Sequence, residues 1–299
     1  MQNTTTLNIH ILDCKDSLKS TTQNFIDYFE ILRYINDKVI FNITNQMNTK
    51  ITAGKVADYL ILPPCYKPQK ATKEEARIIS AHISSEKSKI VACCGGALKL
   101  ASTGALDRRK ATTHWLFEKK LKTEYPKVNV EAHRTIIESG KIITAGGVLS
   151  YLDVICLIIK KELGKKTARK YNEIIQGPGI REYQIPKQKR DGNPELNNLF
   201  AIYDKLKGED ISLTNIAQDM GMSPRAFQRH LNEKYGITFR DSLKKYRLKK
   251  VQEYILKNIP IKEISFRLGF IDDMSFRRFF KKEMKMPISQ YRDLLLLNI

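Results

Sequence analysis

One short unit occurs twice in the last third of the chain, and few folds accommodate it. The first copy runs from Gly221 to Leu231 (Gly-Met-Ser-Pro-Arg-Ala-Phe-Gln-Arg-His-Leu), the second from Gly269 to Phe280 (Gly-Phe-Ile-Asp-Asp-Met-Ser-Phe-Arg-Arg-Phe-Phe). Phe227 matches Phe276, Arg229 matches Arg278 and Leu231 matches Phe280, all at one offset of 49 residues. Each copy follows a short apolar helix pattern, Leu213, Ile216, Ala217 and Met220 before the first and Ile261, Ile264, Ser265 and Leu268 before the second. A glycine then ends each helix, as a left-handed residue at a sharp turn requires. A second helix opens at Ser223-Pro224 or Asp273-Met274, where Ser and Asp accept from free N–H groups and Pro fits the first helical position. Helix, glycine turn and capped helix make a helix-turn-helix, whose second helix enters the DNA major groove.

Helical spacing sorts the side chains. Phe227 and Leu231 face inward in the first recognition helix, which leaves Arg225, Gln228 and Arg229 outside near its N-terminal end. In the second, Phe276 and Phe280 face inward, leaving Asp273, Met274, Ser275, Arg277 and Arg278. Arg suits guanine O6/N7 and Gln suits adenine N6/N7, each by paired hydrogen bonds. A long helix over about Arg240 to Asn258, with Leu243, Tyr246, Leu248, Val251 and Ile255 as its apolar stripe, is expected to hold the two recognition helices rigidly, about one DNA turn (~34 Å) apart. Solvated arginines on a helical bundle would look similar singly, but a duplicated turn with matched inward aromatics and outward basics is hard to obtain by chance.

This stretch, about Asn197 to Leu296, resembles the AraC/XylS family of transcription factors, best over Ile216 to Leu231 and over Leu268 to Arg292. Position by position, the resemblance implies base-contacting roles for Arg225, Gln228 and Arg229, and for Asp273, Met274, Ser275, Arg277 and Arg278. Phe239 and Ile288 stand where the family usually has Pro, with Pro287 one residue early. Asp272 and Asp273 beside DNA would either cap the helix, read cytosine N4 or weaken phosphate contact.

The 299 residues, 42% of them hydrophobic, allow about two packed domains. The longest apolar run, Val148 to Ile159, is too short to span a membrane and carries Asp153, so it reads as a buried helix and no membrane partner is expected. No basic start precedes Leu7 to Leu12, which argues against a signal peptide. Five cysteines, two adjacent, do not form a disulfide framework, and a reducing cytoplasm is the expected compartment. The formal charge of +20 fits a polyanionic partner, although the basic excess runs through both halves.

The N-terminal half alternates strands and helices. Strands are expected at Leu7 to Leu12, Val39 to Ile43, Tyr59 to Leu62, Ile90 to Cys93, near Lys110 to Thr113 and at Ile142 to Thr144. Helices are expected at Thr22 to Asn36, Lys73 to Ser85, Ala97 to Thr103 and Val148 to Leu163. Such alternation predicts an α/β domain with a mostly parallel sheet wrapped on both faces. The segment Lys160 to Arg190, basic and then broken by Gly177-Pro178-Gly179 and Pro186, is the expected boundary. The domain limits are accordingly set at 1–185 and 186–299.

The junction Ile90-Val91-Ala92-Cys93-Cys94-Gly95-Gly96 fits a nucleophile elbow, with one side chain on a strained strand-to-helix turn and glycine two residues later. A cysteine there would feel the helix N-terminus, which favours thiolate. Small packing residues at Cys93 and Cys94 are the competing reading. Cys94 to Trp115, with Gly104-Ala105-Leu106-Asp107 and Ala111-Thr112-Thr113-His114-Trp115, resembles the glutamine-amidotransferase-like (PfpI-type) domain, and more closely the version fused to AraC-type DNA-binding domains. The resemblance runs from about Leu7 to Gln176. It implies a flavodoxin-like, amidotransferase-like fold, Cys94 at the elbow and Glu30 as the acidic residue facing it. Pro63-Pro64 departs from the glycine pair usual after the third strand.

Thiol hydrolysis needs a base within hydrogen-bond reach. The hydrolytic PfpI enzymes place His directly after the elbow, and here that residue is Gly95. His133-Arg134-Thr135 is not the His-x-Glu of amidotransferases, and His114 reads as structural. The expected protein is therefore not an enzyme. It is a cytoplasmic, sequence-specific transcription regulator that binds double-stranded operator DNA through an all-α C-terminal domain with two helix-turn-helix units. A degenerate enzyme-like domain would sense an unknown small-molecule effector, with Glu30, Cys94 and Gly95 as candidate sensor residues, and would form a homodimer. No cofactor or metal is expected. The alternatives are an active PfpI-type thiol hydrolase or amidase using Cys94 with an accessory DNA-binding domain, and a redox sensor at the Cys94 thiolate.

Overall fold

The computed structural model describes residues 5–36, 39–45, 54–177, 179–184, 194–206 and 211–296. The chain forms two compact units, Met1–Gln184 and Ile185–Ile299.

The first unit alternates strands and helices: β1 (Thr5–Ile11), α1 (Lys19–Ile31), β2 (Val39–Asn45), β3 (Tyr59–Leu62), α2 (Lys73–Ser84), β4 (Lys89–Cys93) and α3 (Gly96–Ala101). There follow β5 (Lys110–Ala111), α4 (Glu118–Glu124), β6 (Asn129–Val130), β7 (Ile136–Ser139), β8 (Ile142–Ala145) and α5 (Ser150–Ile174). The main sheet has the order β2-β1-β3-β4-β8-β7. Its first five strands pair parallel, and β7 adds an antiparallel edge. Strands β3, β4 and β8 are continuous apolar runs because both faces are covered. One face packs Phe25 and Phe29 of α1 and Val154, Ile155, Ile158 and Ile159 of α5 against Ile9, Ile61, Val91 and Ile143. The other packs Ile78 and Ile79 of α2 and Ala97 to Ala101 of α3 against Leu60, Leu62, Ile90 and Ala92. The α/β sandwich expected from the alternation is the fold observed.

Three details differ from the sequence reading. The strand at Lys110 leaves the main sheet and pairs with β6 in a two-stranded ribbon. Neither α4, β6 nor the β7 edge has a long enough pattern to stand out. The last helix does not stop at Leu163. It continues to Ile174 through Gly164, whose φ of 85° and ψ of 164° kink it, so the expected boundary segment is helical over its first half.

The second unit is helical among its described residues. Helix α6 (Pro194–Lys205) precedes α7 (Leu213–Asp219), α8 (Pro224–Tyr235), α9 (Phe239–Leu256), α10 (Ile261–Arg267), α11 (Asp273–Met284) and α12 (Ile288–Leu296). Leu199, Phe200, Tyr203, Ile216, Phe227, Leu231 and Tyr246 make one buried cluster. Around the second turn Phe276, Phe280 and Tyr291 are buried, and the Phe280 and Tyr291 ring centroids lie 5.1 Å apart. Among the described residues, no helix is long and apolar enough to cross a membrane.

Candidate nucleic-acid interface and elbow site

Both glycine turns have the backbone their duplication demands, with φ of 65° at Gly221 and 70° at Gly269. Only glycine adopts this left-handed region without penalty. The Ser223 side chain then accepts from the Ala226 N–H, and Pro224 opens α8. In the second copy the cap is Asp272 rather than Asp273. Its Oδ1 accepts from the Ser275 N–H at 2.5 Å and its Oδ2 from the Ser275 hydroxyl at 3.1 Å. Those bonds hold the Asp272 carboxyl below the usual carboxylate range. One residue separates the two assignments because both aspartates can cap, and only the extended backbone of Asp272 (φ −149°, ψ 160°) sits outside the helix.

Phe227, Leu231, Phe276 and Phe280 are buried, which turns the opposite faces of α8 and α11 outward. Arg225 and Arg229 are exposed on α8, and Met274, Arg277 and Arg278 on α11. Ile271, just ahead of α11, is 95% exposed and Met274 67% exposed, so an apolar pair stands beside the arginines. Such side chains suit contact with thymine methyl groups. Ile271 went unnoticed in the sequence because it belongs to the turn and not to the helix.

Several of these side chains are already engaged. The Gln228 Oε1 accepts from the Phe239 N–H at 3.2 Å, tying α8 to the first turn of α9. Arg277 donates through Nε to Asp273 at 2.6 Å, and Arg278 to the Ser275 hydroxyl at 3.4 Å. Arg247 of α9 donates to the Leu268 carbonyl at 2.9 Å and the Gly269 carbonyl at 3.2 Å, with its guanidinium 4.3 Å from the Phe270 ring centroid. Burial lowers its pKa. Nothing in the periodicity of α9 marks Arg247, since its partners lie 21 and 22 residues on.

In the first unit, Cys94 follows β4 with a φ of 52°, the strained backbone an elbow requires. Its N–H donates to Ala145 at 2.6 Å, and the Thr113 hydroxyl donates to its carbonyl at 2.7 Å. A β-carbon on Gly95 would lie 2.4 Å from the Cys65 carbonyl oxygen, and one on Gly96 2.7 Å from that of Leu62, so both must be glycine. Backbone hydrogen bonding from Gly95, Gly147 and His114 favours the thiolate of Cys94. Burial nevertheless outweighs it and pushes the thiol up to about 11, so the thiolate expected from the helix terminus does not form near neutral pH.

Glu30 does not face this elbow. The start of α1 lies there, where the Leu18 N–H donates to Pro64 at 2.8 Å and Ser17 bridges to Cys65. Glu30 is in the last turn, about 16 Å along the helix axis at 1.5 Å per residue. It is half-exposed and paired with Arg33 at 3.1 Å. The acids at the elbow end are Asp13, which accepts from Lys19 at 3.0 Å, and Asp16, 3.4 Å from the buried Lys99. His114 is engaged as well: its Nδ1 accepts from the Leu116 N–H at 3.0 Å and caps a short 3₁₀ turn.

A helix-turn-helix domain model matches residues 216–293, and a model of the DJ-1/PfpI family matches residues 38–161. Among curated proteins, the chain is 28% identical to the HTH-type transcriptional regulator GlxA of Rhizobium meliloti, over 62% of this chain and 60% of that protein. It is 23% identical to the HTH-type transcriptional regulator ArgR of Pseudomonas aeruginosa, over 64% and 61% respectively. The alignments thus span about 60% of the length of these relatives. Among solved structures it is similar to an AraC family transcriptional regulator from Pseudomonas putida, with 14% identity, a TM-score of 0.47, and coverage of 57% of this chain and 99% of that one. The chain joins a DJ-1/PfpI-family domain to a helix-turn-helix domain.

Proposed function

We propose that this protein is a sequence-specific transcription regulator that reads double-stranded DNA with α8 and α11 and senses a small molecule in its DJ-1/PfpI domain. The observation that carries the reading is the pair of matched turns, each with buried aromatic or aliphatic anchors behind an arginine-bearing outer face. Arg225, Arg229, Arg277 and Arg278 supply base or phosphate contacts, while Met274 and Ser275 face the same groove. Asp273 holds Arg277 back in the free protein, and Gln228 keeps α8 in register with α9. The effector would enter at the elbow, where strands of an open α/β sheet end and ligands characteristically bind. The relatives named as transcriptional regulators support the regulatory role, and we infer that the protein acts as a homodimer in the cytoplasm. Selection of genomic fragments by the full-length protein tests it. One enriched bipartite motif is expected, and fragments enriched only by length or charge would sink the reading.

A thiol hydrolase is the second reading, favoured by the strained Cys94 backbone. It is disfavoured by the raised thiol and by the engagement of His114 Nδ1. Amidase turnover abolished by Cys94→Ser would establish it.

A further inference from the structure

The chain leaves the first unit through residues 179–184, and this stretch is fastened by polar anchors as well as by the buried ring of Tyr183. The Arg181 N–H donates to Asp153 Oδ1 at 2.8 Å, and its guanidinium donates to both carboxylate oxygens at 3.1 and 2.5 Å. Asp153 is completely buried, so this pairing is what keeps its charge compensated. Next, the Thr135 N–H donates to the Glu182 carbonyl at 3.1 Å and the Gln184 N–H to the His133 carbonyl at 2.9 Å, which lays the stretch down as an extra extended segment. Arg134 pairs with Glu182 at 2.7 Å and covers the Tyr183 ring. Beside it, Ile180, Arg181 and Glu182 line an open groove of about 660 Å³ together with Ile136, Leu157 and Lys160. Ile180 is 40% exposed, whereas Tyr183 is buried.

Gln184 carries the stretch to the elbow. The Gln184 side chain is buried, and its Nε2 lies 2.7 Å from the Thr113 carbonyl, 2.6 Å from that of Ala132, 3.0 Å from that of Arg134 and 3.2 Å from the Thr112 hydroxyl. Thr113 is the residue whose hydroxyl holds the Cys94 carbonyl. The Gly146-Gly147 turn makes a second bridge. Ala145, which leads into this turn, accepts from the Cys94 N–H at 2.6 Å, while a β-carbon on Gly146 would overlap the Gln184 amide. One glycine turn is thus in contact with the elbow on one side and with the departing chain on the other.

We propose that residues 179–184 are a latch, seated when the elbow has the geometry seen here and unseated when an occupant displaces Thr113 or the Gly146-Gly147 turn, so that elbow occupancy is transmitted to the chain entering the helix-turn-helix unit. This rests on the regulator reading for its purpose, but the contact network itself does not depend on DNA. Coupling of this kind is reciprocal: whatever unseats the latch must also loosen the elbow. The latch is the physical element with two arrangements that both sites bias.

The test uses the full-length protein, with hydrogen exchange at individual backbone amides and DNA affinity on the selected motif. Gln184→Ala is expected to speed exchange at least ten-fold at Gly146 and Cys94, both hydrogen-bonded in the seated state, and to shift the apparent Kd for DNA at least three-fold. Thr113→Val, altered at the elbow side, is expected to speed exchange at Arg181 and Gln184. Gln184→Asn keeps the amide but withdraws it by one methylene, and serves if the alanine variant does not fold. Exchange rising only at 182–184, or DNA affinity equal to wild type in both Gln184 variants, would overturn the latch. If the wild-type protein binds no DNA motif, the regulator reading falls while the exchange measurements still decide whether elbow and departing chain are coupled.

Discussion

Arg247 reaches from the helix between the two turns to the carbonyl oxygen of Leu268, the residue just before the second glycine, at 2.9 Å. It also meets the Gly269 carbonyl and stacks over Phe270. Carbonyls at the end of a short helix have no intrahelical partners, and Arg247 satisfies two at once. Arg247→Ala is expected to cost about 2–3 kcal/mol of stability, since hydrogen bonds from charged donors are worth about 1.5–3 kcal/mol each and relaxation recovers part. Urea unfolding of the full chain would show it. Arg247→Lys, which cannot span both carbonyls in a plane, should recover less than half. An unchanged midpoint in the alanine variant would mean that the clamp contributes nothing.

The outward arginines make separable predictions about DNA. Arg225→Ala and Arg278→Ala should each weaken binding to the selected motif by about 1–3 kcal/mol, the range for a side chain that reads a base. If one contacts phosphate instead, affinity falls across all sequences and the salt dependence drops by about one ion. Footprinting and salt titration distinguish these outcomes.

Asp273 restrains Arg277 within the free protein and carries a negative charge toward the groove. An exposed ion pair contributes about 0–1 kcal/mol to folding. Asp273→Asn should therefore leave the unfolding midpoint nearly unchanged while tightening DNA binding. Weaker binding by the variant would show that the carboxylate itself takes part in recognition, as an acceptor for cytosine N4 does.

The two glycine turns can be compared directly. Gly221 has open space where a β-carbon would stand, so Gly221→Ala is resisted by its left-handed φ alone, at about 1–2 kcal/mol. Gly221→Asn should cost less, because Asn tolerates this region. Removing the cap with Ser223→Ala should cost about 1 kcal/mol. Thermal unfolding of the three variants should rank them accordingly.

The buried thiols predict an alkaline limit. Cys94 and Cys156 are pushed up to about 11 by burial, above the ordinary thiol value of 9.0. Between those values the unfolded chain releases protons that the folded chain retains, so the folded state binds more and stability falls as pH rises. Their contribution is complete below about 9 and lost through about 11. Thermal midpoints from pH 8 to 10.5 should decline, and Cys94→Ser should lessen the decline. Alkylation of Cys94 should be slow at neutral pH and accelerate throughout this range. Fast modification at pH 7 would contradict the raised thiol.

What the sequence disclosed depended on how far apart the partners lie. The turns at Gly221 and Gly269, the inward Phe227 and Phe276, the Ser223 cap and the strand ending at Cys93 all involve residues within a few positions of one another, where period and propensity speak directly. The sequence leaves the cap open between Asp272 and Asp273 because the two neighbours have the same chemistry, and the backbone selects Asp272. Glu30 was placed at the elbow by resemblance, and a helix axis carries it away. Arg247 with Leu268, Arg181 with Asp153 and Gln184 with Thr113 have no local signature. The last pair is 71 residues apart, and only the folded sheet brings the amide to the elbow. The antiparallel β7 edge was hidden for a simpler reason: four residues with one buried position make too short a pattern to read.

Helix α9 is a single uninterrupted rod of 18 residues, about 27 Å long, and packs against helices of the second turn. A spacer of that kind does not stretch. Promoters served by this protein would be measured with a fixed ruler: adding or deleting a single base pair between the two contacted elements rotates one away by about a tenth of a turn, and no compliance in the reader makes up the difference. Genomic drift at such sites should therefore spare their internal distance more faithfully than their individual letters.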